Sequence, residues 1–181
     1  MSRLKVIDPA GSTGRAKDLL DAVKTKLGLV PNMTKVMANS PAVLEAYLGF
    51  SGALGGGALD AKTREQLALT VAQCNHCDYC LSAHSAIGKM VGLNEAQILA
   101  SREGHGVTDR TTAALVFARR VLDSKGQVSD GELEAVRLAG FTDGEIAEII
   151  AHVGLNVLTN YFNLAAQVDV DFPKVSFAKA S

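Results

Sequence analysis

The chain has no tryptophan, only four prolines, only three cysteines, and a net charge of -1. An odd cysteine count does not suit the paired disulfide framework of a small secreted protein. A near-neutral charge with no basic stripe or block offers no surface for nucleic acid or an anionic membrane, and neither is expected as a partner. No run of about 18 apolar residues is present, so no transmembrane helix is predicted. The opening stretch, MSRLKVIDPAGSTGRAKD, lacks the apolar segment of a signal peptide, which makes cytoplasmic the default location. No convincing strand alternation occurs, and no flavin, haem or nicotinamide motif is visible, so no cofactor is expected.

What is present reads as one helical domain over 1–181. A 48% hydrophobic and 20% charged composition is enough for a real core. Helical periodicity predicts a first helix over Arg15–Leu27, stopped by Gly28. Pro31 and Pro41 punctuate the chain, and a long helix covers about Pro41–Leu54 before the GGG turn at 55–57. Asp60 reads as the N-cap of a helix through Gln73. Further helices are expected to about Val91 (stopped by Gly92), over Asn94–Ser101, Asp109–Ser124 and Ser129–Ala139. Thr142 and Glu145 form a capping-box pattern that opens a helix to about Gln167. The tail, VDVDFPKVSFAKAS, is expected to be extended and docked or frayed. REQLA at 64–68 and AEIIA at 147–151 suggest an internal repeat of one helical unit.

The chemistry is concentrated in NHCDYCLSAH, residues 75–84. On one helix Cys77, Cys80 and His84 stand at i, i+3 and i+7 and share a face. A helix N-terminus favours a thiolate. A hairpin turning near Asn75 brings Glu65 level with His84, so that the carboxylate can raise the imidazole's basicity. Glu65, His84 and Cys80 then read as a proton relay ending on a thiol. Zinc needs four ligands in a tetrahedral array, and iron–sulfur ligation a fourth cysteine. No second CxxC pair exists, so no metal is assigned. Cys74 reads as a buried small hydrophobe. A second feature is the polar stripe His152, Asn156, Asn160, Asn163 and Gln167 along an otherwise apolar helix. Its amides suggest burial at an interface or near the cysteines rather than a solvent face.

The spacing Glu65-x11-Cys77-x2-Cys80-x3-His84 resembles the signature of the alkylhydroperoxidase D branch of the carboxymuconolactone decarboxylase family. The resemblance is strongest over 40–125, and the flanks GLVPNMTKVMANSP and NYFN resemble the family's peroxidase-related members. It implies an all-α, alkylhydroperoxidase D-like helical bundle with the CxxC helix at its core, assembled as a homotrimer or homohexamer. It implies a peroxidase, an oxidoreductase acting on peroxides and recharged by an external dithiol or protein reductant. Carried over by position, Cys80 is the peroxidatic nucleophile, Cys77 the resolving cysteine, and His84 with Glu65 the relay. The family's best-known enzyme has a histidine directly before the second cysteine, where this chain has Tyr79, which puts proton transfer in question. The family's decarboxylases lack the cysteine pair. A thiol–disulfide oxidoreductase, or a redox-sensing or metal-binding helical module without turnover, is the alternative reading.

Overall fold

The computed structural model describes residues 1–177, and those residues form nine helices and no strand. They are α1 (Gly14–Leu27), α2 (Asn32–Met37), α3 (Pro41–Gly55), α4 (Ala61–Cys74), α5 (Asp78–Met90), α6 (Glu95–Arg102), α7 (Asp109–Asp123), α8 (Asp130–Leu138) and α9 (Asp143–Ala166). The predicted boundaries hold to within a residue or two, because the caps are local chemistry. Asp60 accepts the Thr63 backbone N–H at 3.0 Å and its hydroxyl at 2.7 Å. Thr142 and Glu145 close the expected capping box. Gly28, Gly92 and Gly140, read as helix stops, take φ of 75°, 89° and 90°, where a Cβ would be strained. The short helix α2 was not predicted: at six residues it is too brief to show a period.

α4 is the axis of the molecule, packing against α5, α6, α7 and α9. Every residue from Gln66 to Ala72 is buried, so this helix has no solvent face over its middle turns. Leu67 and Val71 join α7, α8 and α9 in one apolar cluster, Leu69 meets Leu93 and Ile98, and Ala72 faces the cluster around α1, α2, α3 and α5. The polar groups that share this burial are satisfied. The Thr70 hydroxyl donates to the Ser101 carbonyl at 2.6 Å, and Gln66 Oε1 accepts the Val107 N–H at 2.8 Å, which pins the 102–106 loop.

The suggested internal repeat does not extend into the structure. Glu65 meets His84, whereas Glu148 accepts the backbone N–H groups of Ala58 and Leu59. α4 turns back after Cys74, while α9 runs on to Ala166. Alanine-rich helices produce such five-residue matches from composition alone. The extended tail is docked as expected over 168–177; its remainder, 178–181, lies outside the described residues. No helix among the described residues is long and apolar enough to cross a membrane.

Candidate active site

The turn between α4 and α5 builds the site. Asn75, expected as the hinge, keeps helical dihedrals, and the left-handed residue is His76 with φ 55°. Cys77 then serves both helices. Its N–H donates to the Ala72 carbonyl at 3.0 Å, closing α4, and its sulfur accepts the Cys80 N–H at 3.3 Å, capping α5. Cys77 therefore stands at the N-cap, one position before the helix that was expected to contain it. Its sulfur sits where the helix's unpaired N–H groups concentrate positive charge.

The hairpin brings Glu65 and His84 together as expected, with the carboxylate Oε2 2.7 Å from His84 Nδ1. Both side chains are mostly buried, at 16% and 23% exposure. Burial opposes the imidazolium, but the Glu65 charge and hydrogen bond outweigh it and raise the His84 pKa above 6.5. The two cysteines, both free thiols and both buried, diverge. Cys77 is pulled below its usual 9.0, first by the hydrogen bond with Cys80 and further by the His84 charge, against its burial. Cys80 is pushed far up, first by burial and then by Cys77 itself. The two shifts have opposite signs, and the imidazole's charge bears on Cys77, whereas the relay was expected to end on Cys80.

Tyr79 does not stand in for the family's extra histidine. Its hydroxyl accepts the Met33 N–H at 3.1 Å and donates to Asp171 Oδ1 at 2.9 Å, tying α5 to α2 and the tail. Burial, with the Asp171 charge adding, raises its pKa, so it remains a neutral pin. Tyr47 of α3 was missed by sequence reasoning, since a lone tyrosine at a helical spacing carries no signal. It packs against the cluster that contains both cysteines, and burial raises its pKa, with the Cys80 and Glu65 charges adding. The polar stripe of α9 faces inward. Asn156, Asn160 and Asn163 are 4%, 0% and 4% exposed, and Asn163 Nδ2 lies 3.3 Å from the Cys80 sulfur. Gln167 takes no part: it is the exposed, left-handed C-cap of α9. Cys74, half-buried at the end of α4, stays apart from the pair, and burial raises its thiol pKa. Among the described residues no three histidines, cysteines or carboxylates converge as a metal site requires.

A cavity of about 470 Å³ opens onto this turn, lined by His76, Cys77, Tyr79, Asn163, Val168 and Phe177 among others. Cys77 lines it and Cys80 does not. The tail forms its far wall, and Phe177 stacks on His76 with ring centroids 3.7 Å apart.

Residues 41–124, the hairpin and its flanking helices, match the model of the carboxymuconolactone decarboxylase family. The chain superposes on the alkylhydroperoxidase core of a peroxidase-related protein from Ralstonia eutropha JMP134, with a TM-score of 0.85 and 26% identity over 94% of this chain and 92% of that one. The chain has an alkylhydroperoxidase D-like fold, and its residues 41–124 are similar to the carboxymuconolactone decarboxylase family. A peroxidase-related protein from Silicibacter sp. TM1040 shares that fold at 24% identity and a TM-score of 0.82, over 93% of this chain and 91% of that one. A protein of Haemophilus influenzae is 48% identical over 46 residues, a match that spans 25% of this chain and 41% of that protein, less than half of its length.

Proposed function

We propose that the chain is a cysteine-dependent peroxidase working through the Cys77/Cys80 pair, with Glu65 and His84 as its proton relay. The observation that carries this reading is the placing of two free thiols at the N-terminus of α5 with a histidine, one turn after Cys80 on the same helix, that pairs with a carboxylate from across the hairpin. Cys77 has the lowered pKa of the pair and lines the cavity, so this reading gives the attack to Cys77 and the resolution to Cys80, the reverse of the order that the resemblance implies. The Cys77 thiolate attacks one peroxide oxygen and the O–O bond breaks. The leaving alkoxide takes a proton from the His84 imidazolium, giving an alcohol and a sulfenic acid at Cys77. Cys80 then attacks the Cys77 sulfur. Hydroxide leaves with the Cys80 proton as water, and a disulfide remains. An external dithiol supplies the two electrons that restore the pair.

The test is a single-turnover reaction of the reduced protein with an organic hydroperoxide, with a 1,3-diketone present to trap sulfenic acid. Cys80→Ser should accumulate the adduct on Cys77, and Cys77→Ser should lose most of its peroxide consumption. An adduct on Cys80 in Cys77→Ser at the wild-type rate would restore the opposite order. Turnover of disulfides without peroxide consumption would favour a thiol–disulfide oxidoreductase.

A further inference from the structure

The buried amides of α9 have no role in the steps above, yet they stand against a reacting atom. Asn163 Nδ2 is placed 3.3 Å from both the Cys80 sulfur and the Met33 sulfur, while its Oδ1 is buried without a partner. Asn160 is fully buried; its Oδ1 accepts the Asn75 Nδ2 at 2.9 Å, which turns its own Nδ2 away from that bond and leaves it unpartnered. Asn75 ends α4, so the turn that positions Cys77 also orients Asn160. Leaving amide groups unpaired in a core costs stability, and leucine at either position would avoid the cost. Unsatisfied polar groups in a native core call for an explanation, and here Asn163 bears directly on a cysteine sulfur.

We propose that Asn163, one turn beyond the equally unsatisfied Asn160, holds the Cys80 sulfur as an anion when the disulfide opens and closes. This rests on the thiol-pair reading of the site. An external thiolate enters through the cavity, and the sulfur it meets there is Cys77. Its attack forms a new S–S bond to Cys77 and breaks the Cys77–Cys80 bond, so the electron pair leaves on Cys80. Both cysteines are nearly out of water, at 1% for Cys77 and 3% for Cys80, but the Cys77 sulfur has a helix N-terminal N–H and Cys80 depends on a side-chain donor. The amide N–H donors take water's place, as fixed dipoles do for a developing oxyanion. Disulfide closure passes through the same charge, since Cys80 attacks as a thiolate. Both Asn160 and Asn163 lower the Cys80 pKa against its burial, as this role requires. A better-stabilised leaving thiolate departs faster.

Diamide-oxidised protein, reduced by dithiothreitol, alkylated at timed intervals and weighed intact, measures the opening step without any peroxide. Asn163→Leu should slow reduction about ten- to hundredfold, the range expected for losing a hydrogen bond to a charged group. Asn163→Asp, nearly the same shape, loses the donors and adds a like charge, and should slow it at least as much at neutral pH. Asn156→Leu is the control: the same helix, equally buried, with its amide donating to the His152 carbonyl at 2.8 Å, and its rate should match wild type. In a Cys77→Ser background the ultraviolet thiolate absorbance of Cys80 should move to higher pH with Asn163→Leu and not with Asn156→Leu. Reduction of Asn163→Leu and Asn163→Asp at the wild-type rate would overturn the inference, and so would equal slowing by Asn156→Leu. A wild type that forms the disulfide with diamide but ignores peroxides would defeat the proposed peroxidase and leave this result standing. No internal disulfide at all would defeat both.

Discussion

Glu65 and His84 show how a weak pair of residues becomes a relay. Apart, each is an ordinary helix residue; at 2.7 Å, mostly out of water, the Glu65 carboxylate favours the charged form of His84. The His84 pKa is raised, so the sign follows. The pair's contribution to stability is fully present below the unfolded value near 6.5 and is lost as pH rises through the folded value. Glu65→Gln should bring the His84 titration, read by NMR, down towards or below 6.5 and should flatten that part of the stability–pH profile. It should also raise the Cys77 pKa, since less positive charge then faces the thiolate, and slow its alkylation near neutral pH. An unmoved His84 titration would remove Glu65 from the relay. The cysteine spacing and the Glu65–His84 pairing were legible in the sequence, because a helical hairpin has few ways to turn. The proposed division of labour between Cys77 and Cys80 was not legible, because it depends on which sulfur caps the helix and which cysteine lines the cavity.

At the level of elements, the α4–turn–α5 hairpin is held from both ends. Asp60 caps one end of α4, and Cys77 closes the other while opening α5. Asp60→Ala should cost about 0.5–2 kcal/mol in denaturant unfolding. The Cys77 alkylation rate should stay unchanged, since the cap lies at the far end of α4 from the turn. A rate change would mean that α4 shifts as a rigid rod when its cap is lost. On α9 the stripe of amides was expected to be buried at an interface or near the cysteines, and packing turns Asn156, Asn160 and Asn163 inward beside Cys80. The opposite stripe, Ile150, Leu158 and Tyr161, is left 44%, 42% and 56% exposed.

For the whole molecule, that helix bears on assembly. An exposed apolar stripe on the helix that holds the cysteines' amides is a surface suited to another copy of the chain. Exposed Val43 and Phe50 on α3, which packs beside α9, add to the apolar surface. Self-association is the expectation that the family resemblance raised, as a trimer or hexamer. Leu158→Glu with Tyr161→Glu should lower the mass found by sedimentation equilibrium by at least one step, with helical content kept. A wild-type monomer, or an unchanged mass in the double variant, would place any assembly elsewhere. The tail works on the same scale. Val175 N–H donates to the Ser82 hydroxyl at 2.9 Å, and Phe177 N–H donates to Asp78 at 2.7 Å, so a segment distant in sequence walls the Cys77 cavity.

The sequence by itself determined the helical class, most helix ends, and the Glu65, Cys77, Cys80 and His84 set, since caps, periodicity and i, i+3, i+7 spacing act over a few residues. Only the tertiary structure decided that Cys77 caps α5, that Tyr79 is a pin between α2 and the tail, and that Asn163 reaches the Cys80 sulfur. The last two depend on burial and on partners scores of residues away, and desolvation is a property of the packed molecule rather than of any segment.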